Sequence, residues 1–283
     1  MDITNKCADL QRLIDQAAPG AELLLPPGDY RCKLLIRTPG LKLRGAGMDK
    51  TRIIWDDYAL KKDELGRDYN TFRTWTVAVC ADGVSMEDLS IVNEAGHPEE
   101  KGQEVALSVC ADGFAMERCR LRSTQDTLFL GPLPADLIAR YDGFLIDPLR
   151  RGPVCRQSLR SCLIEGSVDF VFGCGEALLE DCELRSVYDV RQVGYVAAPA
   201  HAQEQEIGFT FRRCRFTAEE EVEPASIWLA RPWRDYGLAR FEDCVYGPHI
   251  HPLGFDKWND TNRDRTARFS ERPKRPGRQP WTK

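Results

Sequence analysis

Two aspartates at matching positions in the sequence could together carry out acid–base or nucleophilic chemistry. Asp169 lies within EGSVDFVFG, a stretch whose valines and phenylalanines are typical of a buried β-strand. An ionised carboxylate beside apolar residues loses hydration, so a partner must hold it there. Asp169 lies seven residues after Cys162, and Asp126 lies seven residues after Cys119. If the two cysteines stack in neighbouring coils of a solenoid, the two aspartates face each other.

Such a pair of carboxylates has a defined chemical consequence. In a partly apolar groove, two facing carboxylates cannot both ionise easily, so one pKa is raised and the other is lowered. This separation yields an acid with a base, or an acid with a nucleophile. An alternative is an ordinary ladder of exposed aspartates, and the register alone leaves both interpretations open. Asp189 follows Cys182 by the same seven residues, although its surroundings, SVYDVR, are typical of a loop.

An internal repeat indicates which elements would position these residues. VCADGVSME at 79–87 and VCADGFAME at 109–117 share seven of nine residues. A shorter motif, an apolar residue followed by two polar residues and then Cys or Leu, places that Cys or Leu at positions 89, 119, 162, 182, 214 and 244. These positions are 30, 43, 20, 32 and 30 residues apart. Such spacing in short alternating segments predicts an all-β fold, a single-stranded, right-handed parallel β-helix.

The β-helix prediction assigns positions to several other segments. Equivalent residues of adjacent coils stack about 4.8 Å apart, so we expect the cysteines to form an internal ladder of free thiols rather than disulfides or metal ligands. Residues 7–17 have apolar side chains at helical spacing, and a helix there would cap the open end of the coil. We expect the β-helix to span 1–262. Residues 263–283, with eight Lys/Arg against two Asp/Glu, are expected to form a loosely held basic tail.

Composition limits the classes of function. A net charge of −5 and an isoelectric point of about 5.6 argue against nucleic-acid binding. No apolar run is long enough to span a bilayer, and the N-terminal residues lack the pattern of a signal peptide. The 11 cysteines do not form CxxC pairs, which favours a reducing compartment, the cytoplasm. The chain has no GxSxG motif, so a serine esterase triad is not expected.

Five segments, in order along the chain, resemble motifs of the pectin methylesterases. They are GDYRCKLLI at 28–36, QEVAL at 103–107, QDTL at 125–128, DFVFG at 169–173 and WLARPW at 228–233. The resemblance implies hydrolysis of the C6 methyl ester of galacturonate, in pectin or in short oligogalacturonides, with release of methanol. It departs from the family pattern at Cys32, Thr124, Ala230 and Phe255. These departures concern the sugar subsites more than the reaction.

The resemblance also implies residue roles. Asp169 would be the nucleophile, and Asp126 would be the proton donor and later the base. Gln125 and Gln103 would donate hydrogen bonds to the oxyanion, and Arg231 would pair with Asp169. Substrate-binding aromatic residues would be Phe129, Phe172, Trp233, Trp258 and Tyr236. No metal or cofactor is needed, because side chains handle both charges of the mechanism.

Other interpretations remain open at this point. A β-helix with this constellation could be a pectin-active lyase or a polygalacturonase, or it could bind uronides without catalysis. The 43-residue spacing contains a long connection, residues 131–153, which carries Arg140, Tyr141, Phe144, Arg150 and Arg151. The family usually has a much shorter connection here. We expect this loop to wall off one end of the groove and to favour short oligomers. The sequence does not define the oligomeric state.

Overall fold

The computed structural model describes residues 6–96, 100–133, 135–141, 155–259 and 261–275. Its chain passes repeatedly through three parallel β-sheets, so that each coil lies beside the preceding one. The protein is therefore an all-β parallel β-helix, as the repeat predicts. No helix among the described residues has both the length and the apolar character needed to cross a membrane.

Strands of the three sheets follow each other in a regular cycle. The first sheet contains, in spatial order, β1 Glu22–Leu24, β4 Lys42–Arg44, β7 Ser85–Glu87, β10 Phe114–Glu117, β13 Arg156–Arg160, β16 Glu176–Glu180, β19 Phe209–Arg212, β22 Leu238–Glu242 and β24 Arg268–Arg272. The second contains β2 Gly28–Arg31, β5 Thr51–Trp55, β8 Ser90–Asn93, β11 Arg120–Arg122, β14 Leu163–Gly166, β17 Glu183–Ser186, β20 Arg215–Ala218 and β23 Val245–Tyr246. The third contains β3 Leu34–Ile36, β6 Val77–Val79, β9 Leu107–Val109, β12 Leu128–Leu130, β15 Val168–Gly173, β18 Gly194–Pro199 and β21 Ile227–Ala230.

The pairing register agrees with the spacing of the repeat. Met116 pairs with Met86 on one side and with Leu159 on the other, and the same column continues through Leu179 and Phe211. These pairs reproduce the offsets of 30, 43, 20 and 32 residues read from the motif. The predicted register is confirmed.

Each coil turns a corner just before its Cys or Leu position. The corner residues have φ between 51° and 56°, in the left-handed region; they are Asp88, Arg118, Ser161, Asp181, Arg213 and Asp243. The corner directs the next side chain inward, where Cys119, Cys162, Cys182 and Cys214 are all buried. These thiols are free, and burial raises the pKa of Cys119 to about 12. The predicted internal ladder is confirmed.

An N-terminal helix, α1 (Lys6–Gln16), covers the open end of the coil. Its Leu10 and Ile14 are buried against the core. The Gln11 side chain donates to the carbonyl oxygen of Leu35 and accepts from its backbone N–H, at 3.0 and 2.9 Å. The glutamine therefore supplies hydrogen bonds to the first strand of the third sheet, which otherwise has an open edge.

The predicted boundary at residue 262 is wrong for the described part of the supposed tail. Strand β24 pairs with β22 along its full length and extends the first sheet. Glu271 lies opposite Phe241, in the column that earlier coils fill with Met, Leu or Phe. Arg275 forms an ion pair with it, with Nε 3.0 Å from Oε1. Because a glutamate occupies the apolar position, the repeat motif cannot be recognised in this last strand.

Candidate active site

The third sheet places the two aspartates at equivalent positions in adjacent coils. Leu128 pairs with Val171, and Gln125 forms a parallel bridge with Val168. Both pairs have an offset of 43 residues, so Asp126 lies beside Asp169. The predicted juxtaposition is confirmed.

Local backbone geometry turns both side chains out of the coil. Asp126 and Asp169 have φ of 63° and 52°, a conformation that aspartate tolerates better than most residues. In β15 the register shifts between Val168 and Val171, so that Phe170 and Val171 both pack in the core. This bulge breaks the alternation of the strand and directs Asp169 into a pocket on the outer face of the sheet.

The two carboxyl groups meet different environments although both are nearly buried. Burial, and then the charge of Asp169, raise the pKa of Asp126 well above its usual range. Asp169 instead accepts a bidentate pair of hydrogen bonds from Arg231, Nε to Oδ1 at 2.8 Å and Nη2 to Oδ2 at 2.7 Å. Such a fork stabilises a carboxylate anion. The predicted ion pair between Arg231 and Asp169 is therefore present.

Two aromatic rings hold the guanidinium of Arg231 in place. The carbon at its centre lies 3.8 Å from the ring centroid of Tyr195 and 4.2 Å from the nearest ring centroid of Trp258. The guanidinium thus stacks on both aromatic side chains while its edge binds Asp169. Tyr195 was not predicted, because its register position in β18 carries no motif that marks it.

Both predicted glutamines line the pocket. The backbone N–H of Glu104, which follows Gln103, donates to the carbonyl oxygen of Gln125 at 3.0 Å, so adjacent coils hold the two glutamines together. The side-chain oxygen of Gln125 accepts a hydrogen bond from Arg191 Nη1 at 2.8 Å. Arg191 in turn forms an ion pair with Asp189, the third aspartate of the register. Sequence reasoning missed Arg191, which no motif marks.

The pocket measures about 180 Å³. It is lined by Asp126, Asp169, the two glutamines, Arg231, Trp233, Trp258, Phe172 and the loop residue Tyr141, as predicted, and also by Thr71, Phe72 and Ala198. Thr71 and Phe72 belong to a 3-10 turn, Thr71–Arg73, in the long connection between β5 and β6. Contacts of this kind depend on how a loop folds back, which periodicity does not reveal.

Two predicted aromatic residues do not line this pocket. Phe129 is 1% exposed and packs beneath it, with its ring centroid 5.1 Å from that of Phe172 and 5.3 Å from that of Phe72. Phe129 therefore supports the wall rather than touching a ligand. Tyr236 does not line the pocket, and its backbone carbonyl accepts hydrogen bonds from Arg268. Neither residue is among those that line the pocket, and substrate binding by Phe129 and Tyr236 stays a prediction.

The connection after β12 reaches the pocket in its described part. A short helix, α2 (Ala135–Arg140), is followed by Tyr141, whose ring packs edge-on against Phe72 with centroids 4.9 Å apart. Arg234 forms an ion pair with Asp136 at 3.3 Å and so links α2 to the segment that carries Arg231 and Trp233. Phe144, Arg150 and Arg151, predicted to face the groove, lie outside the described residues.

Comparisons with known proteins agree with this geometry. Residues 26–132 and 153–278 match the family model Pectinesterase. Pectinesterase QRT1 of Arabidopsis thaliana is 28% identical over 285 residues, covering 95% of this chain and 67% of the relative. Pectinesterase 31 of Arabidopsis thaliana is 30% identical over 256 residues, covering 87% and 71%.

Two solved structures share the fold. Pectin methylesterase from carrot superposes with a TM-score of 0.80 at 22% identity, covering 98% of this chain and 82% of the other. Pectin methylesterase PemA from Erwinia chrysanthemi superposes with a TM-score of 0.78 at 24% identity, covering 94% and 83%. The family model matches most of this chain, and the two aspartates face each other in the groove of a β-helix. This chain therefore belongs to the pectinesterase family.

Proposed function

We propose that this protein is a carbohydrate esterase that hydrolyses the C6 methyl ester of galacturonate in pectin or oligogalacturonides and releases methanol. One observation carries the proposal: of two carboxyl groups in adjacent coils, burial favours the protonated form of Asp126, while Arg231 binds Asp169 through a bidentate fork. This pairing supplies an acid and a nucleophile side by side. A pectin methylesterase of the same fold has been solved in complex with a hexasaccharide, which supports a sugar polymer as the ligand.

In the proposed mechanism Asp169 attacks the ester carbonyl carbon, and the carbonyl electron pair moves onto oxygen. When this tetrahedral intermediate collapses, the bond to the methoxy group breaks and Asp126 gives its proton to the leaving oxygen, so methanol departs. Asp126, now a carboxylate, takes a proton from water as the water attacks the acyl-enzyme. The bond between the acyl carbon and the Asp169 oxygen then breaks, galacturonic acid leaves and loses its remaining proton to solvent, and both aspartates return to their starting states.

Gln103 and Gln125 are proposed to donate side-chain N–H groups to the oxyanion. A preorganised donor of this kind lowers the barrier by about 3–4 kcal/mol. Both line the same pocket as the two aspartates. Trp233, Trp258, Tyr141 and Phe72 give the pocket aromatic walls, which suit the C–H faces of sugar rings.

The proposed reaction is distinguished from those of related β-helix enzymes by its products. Methylated pectin incubated with the protein should release methanol without a rise in the ultraviolet absorbance of unsaturated uronides and without shortening of the chain. Unsaturated products would indicate a lyase, and chain shortening would indicate a galacturonase. Binding of methylated oligogalacturonides with no methanol release would contradict esterase activity and favour a binding protein.

We further propose that the enzyme prefers short oligogalacturonides. The segment 133–152 lies between the two parts that match the family model and is itself not matched by it. The described part of this segment, α2 and Tyr141, packs against the aromatic side chains of the pocket. The test compares kcat/KM on polymeric pectin and on methylated di- to tetragalacturonides, before and after residues 133–151 are shortened. Equal kcat/KM on both substrates in the intact protein would contradict the preference.

A cytoplasmic, reducing location is proposed as well. It is supported by the ten described cysteines, none of which forms a disulfide. Imported fragments rather than whole cell-wall polymer would be met there, which agrees with a preference for short substrates. Cell fractionation of the native host tests this location, and recovery of the protein outside the cell would contradict it.

A further inference from the structure

The side chain of Gln125 is fixed from outside the pocket by a single arginine. Arg191 Nη1 donates to Gln125 Oε1 at 2.8 Å. Because a guanidinium can only donate, this contact defines which end of the glutamine amide is the oxygen. The other end, the N–H₂ group, is thereby turned away from Arg191.

Arg191 is itself held rigidly. Its Nε donates to Asp189 Oδ1 at 2.9 Å, its Nη2 donates to Asp189 Oδ2 at 2.6 Å, and its backbone N–H donates to Asp189 Oδ1 at 2.9 Å. The Asp189 side chain is only 4% exposed, and it also accepts a hydrogen bond from the hydroxyl of Ser167 at 2.6 Å. Because three hydrogen bonds from Arg191 to the buried Asp189 fix the guanidinium group, the direction of its third nitrogen, Nη1, is fixed as well.

This arrangement spans three adjacent coils. Gln125 precedes β12, Ser167 precedes β15, and Arg191 precedes β18. The backbone N–H of Ser167 donates to the carbonyl oxygen of Thr124 at 2.7 Å, beside Gln125. The middle coil therefore connects the loop that carries Arg191 to the coil that carries the glutamine.

We propose that Arg191 is a positioning residue that orients the amide of Gln125 for the oxyanion, with Asp189 and Ser167 holding it in place. The inference rests on the proposed esterase function. A preorganised donor is worth more than a mobile one because no reorganisation is needed when charge develops on the oxygen. Asp189, the third aspartate of the register, thus holds Arg191 in place and does not contact substrate.

The test replaces Arg191 with methionine, which keeps the length of the side chain and removes its hydrogen bonds. Losing the orientation, but not the amide itself, should lower kcat by about 10- to 100-fold with KM changed by less than about threefold. Arg52→Met is the matched control, because Arg52 makes the same bidentate contact with Asp29 on the second sheet, at 2.8 and 2.5 Å. We expect its kcat to equal that of wild type.

A double-mutant cycle distinguishes positioning from other roles. In a Gln125→Ala background, Arg191→Met should cause no further loss of kcat, because the group that it orients is absent. An equal loss in both backgrounds would overturn the inference. A rise in KM with unchanged kcat would also overturn it, because that result identifies Arg191 as a ligand for a substrate carboxylate.

A structural measurement keeps the inference separate from the esterase proposal. In a crystal structure of the Arg191→Met variant, the Gln125 amide should rotate or lose its single conformation. An unmoved Gln125 would overturn the positioning role whatever the activity. Absence of methanol release by the wild-type protein would instead overturn the esterase proposal, and the crystallographic test of the contact would still decide whether Arg191 orients Gln125.

Discussion

Asp126 and Asp169 have the same kind of side chain but different neighbours. Asp126 is deprived of water and faces another acidic group, whereas Asp169 has two hydrogen bonds from one guanidinium. The stacking of Arg231 between Tyr195 and Trp258 limits its movement, so the cation stays with Asp169 rather than moving to its neighbour. The proposed roles of Asp126 as acid and Asp169 as nucleophile follow from this asymmetry.

Replacement of Asp126 by asparagine should remove the proton donor and the later base. We expect kcat to fall by about 10²–10⁴-fold. Asparagine tolerates a positive φ, so folding should be preserved. Asp243→Asn is the control, since Asp243 also has a positive φ, 53°, but is an exposed corner residue. Near-full methanol release by the Asp126 variant, with a normal melting temperature, would refute the assigned role.

Glu104 gives a prediction about pH and stability. It is fully buried beside Gln103, and burial raises its pKa to about 7. The folded protein therefore binds this proton more tightly than the unfolded chain does, and stability falls as pH rises from about 4.5 to 7. The loss is on the order of 3 kcal/mol. Glu104→Gln should abolish it, so the variant should gain stability relative to wild type at pH 8 but not at pH 4.

Denaturant titration at both pH values measures the difference between the two proteins. Glu100→Gln serves as a control because Glu100 is exposed, and its stability should follow that of wild type. If the free energy of unfolding of Glu104→Gln also parallels wild type from pH 4 to 8, the burial of a charge at this position has no measurable cost and the prediction is wrong.

Among the elements, the corners between the first and second sheets determine which side chains enter the core. A left-handed residue stands immediately before each position of the cysteine ladder. At Ser161, which is exposed with φ of 52°, valine should destabilise the protein by about 1–2 kcal/mol because a β-branched side chain is strained there. Glycine should be neutral or should stabilise the protein by up to about 1 kcal/mol.

Thermal and denaturant unfolding of the Ser161 variants measure these effects. Ser158→Val is the matched control, because Ser158 is an exposed residue of β13, where valine suits the extended backbone. Equal stability of Ser161→Val and Ser158→Val would show that the corners do not impose the expected backbone strain.

Sequence periodicity predicts the elements that repeat and misses those that do not. The offsets of the cysteine ladder are sufficient to place Asp126 opposite Asp169, because strand register in a β-helix is propagated from coil to coil. Strand β24 is missed because Glu271 replaces the expected apolar residue. Arg191 is missed for another reason: it reaches Gln125 across two coils through a loop, and no local pattern encodes such a contact.

For the whole molecule, the stacked coils form a continuous apolar interior that needs no covalent cross-links. Thiol titration under denaturing, non-reducing conditions should therefore detect most of the 11 cysteines of the chain. None of the ten described cysteines forms a disulfide, and nine of them are buried. In the native protein far fewer thiols should react, because burial both excludes reagents and disfavours the thiolate. A count near one after denaturation would mean disulfides and an oxidising compartment.

The β-helix also predicts that the fold tolerates substitution at Asp169. Asp169 projects from the outer face of the third sheet, whereas the adjacent Phe170 and Val171 pack in the core. Removing the carboxylate charge therefore should not disturb the coil. Arg231 could still donate a hydrogen bond to the oxygen of an asparagine in its place.

The central claim is that Asp169 is the nucleophile. It is tested most directly by comparing methanol release from methylated oligogalacturonides by Asp169→Asn and by the wild-type protein. We expect robust release by wild type and a loss of at least about 10⁴-fold in the variant, because the amide cannot form the acyl-enzyme. The melting temperature should stay within a few degrees of wild type, as it should for the control Asp243→Asn. Release by Asp169→Asn close to the wild-type rate would contradict the assignment of Asp169 as the nucleophile.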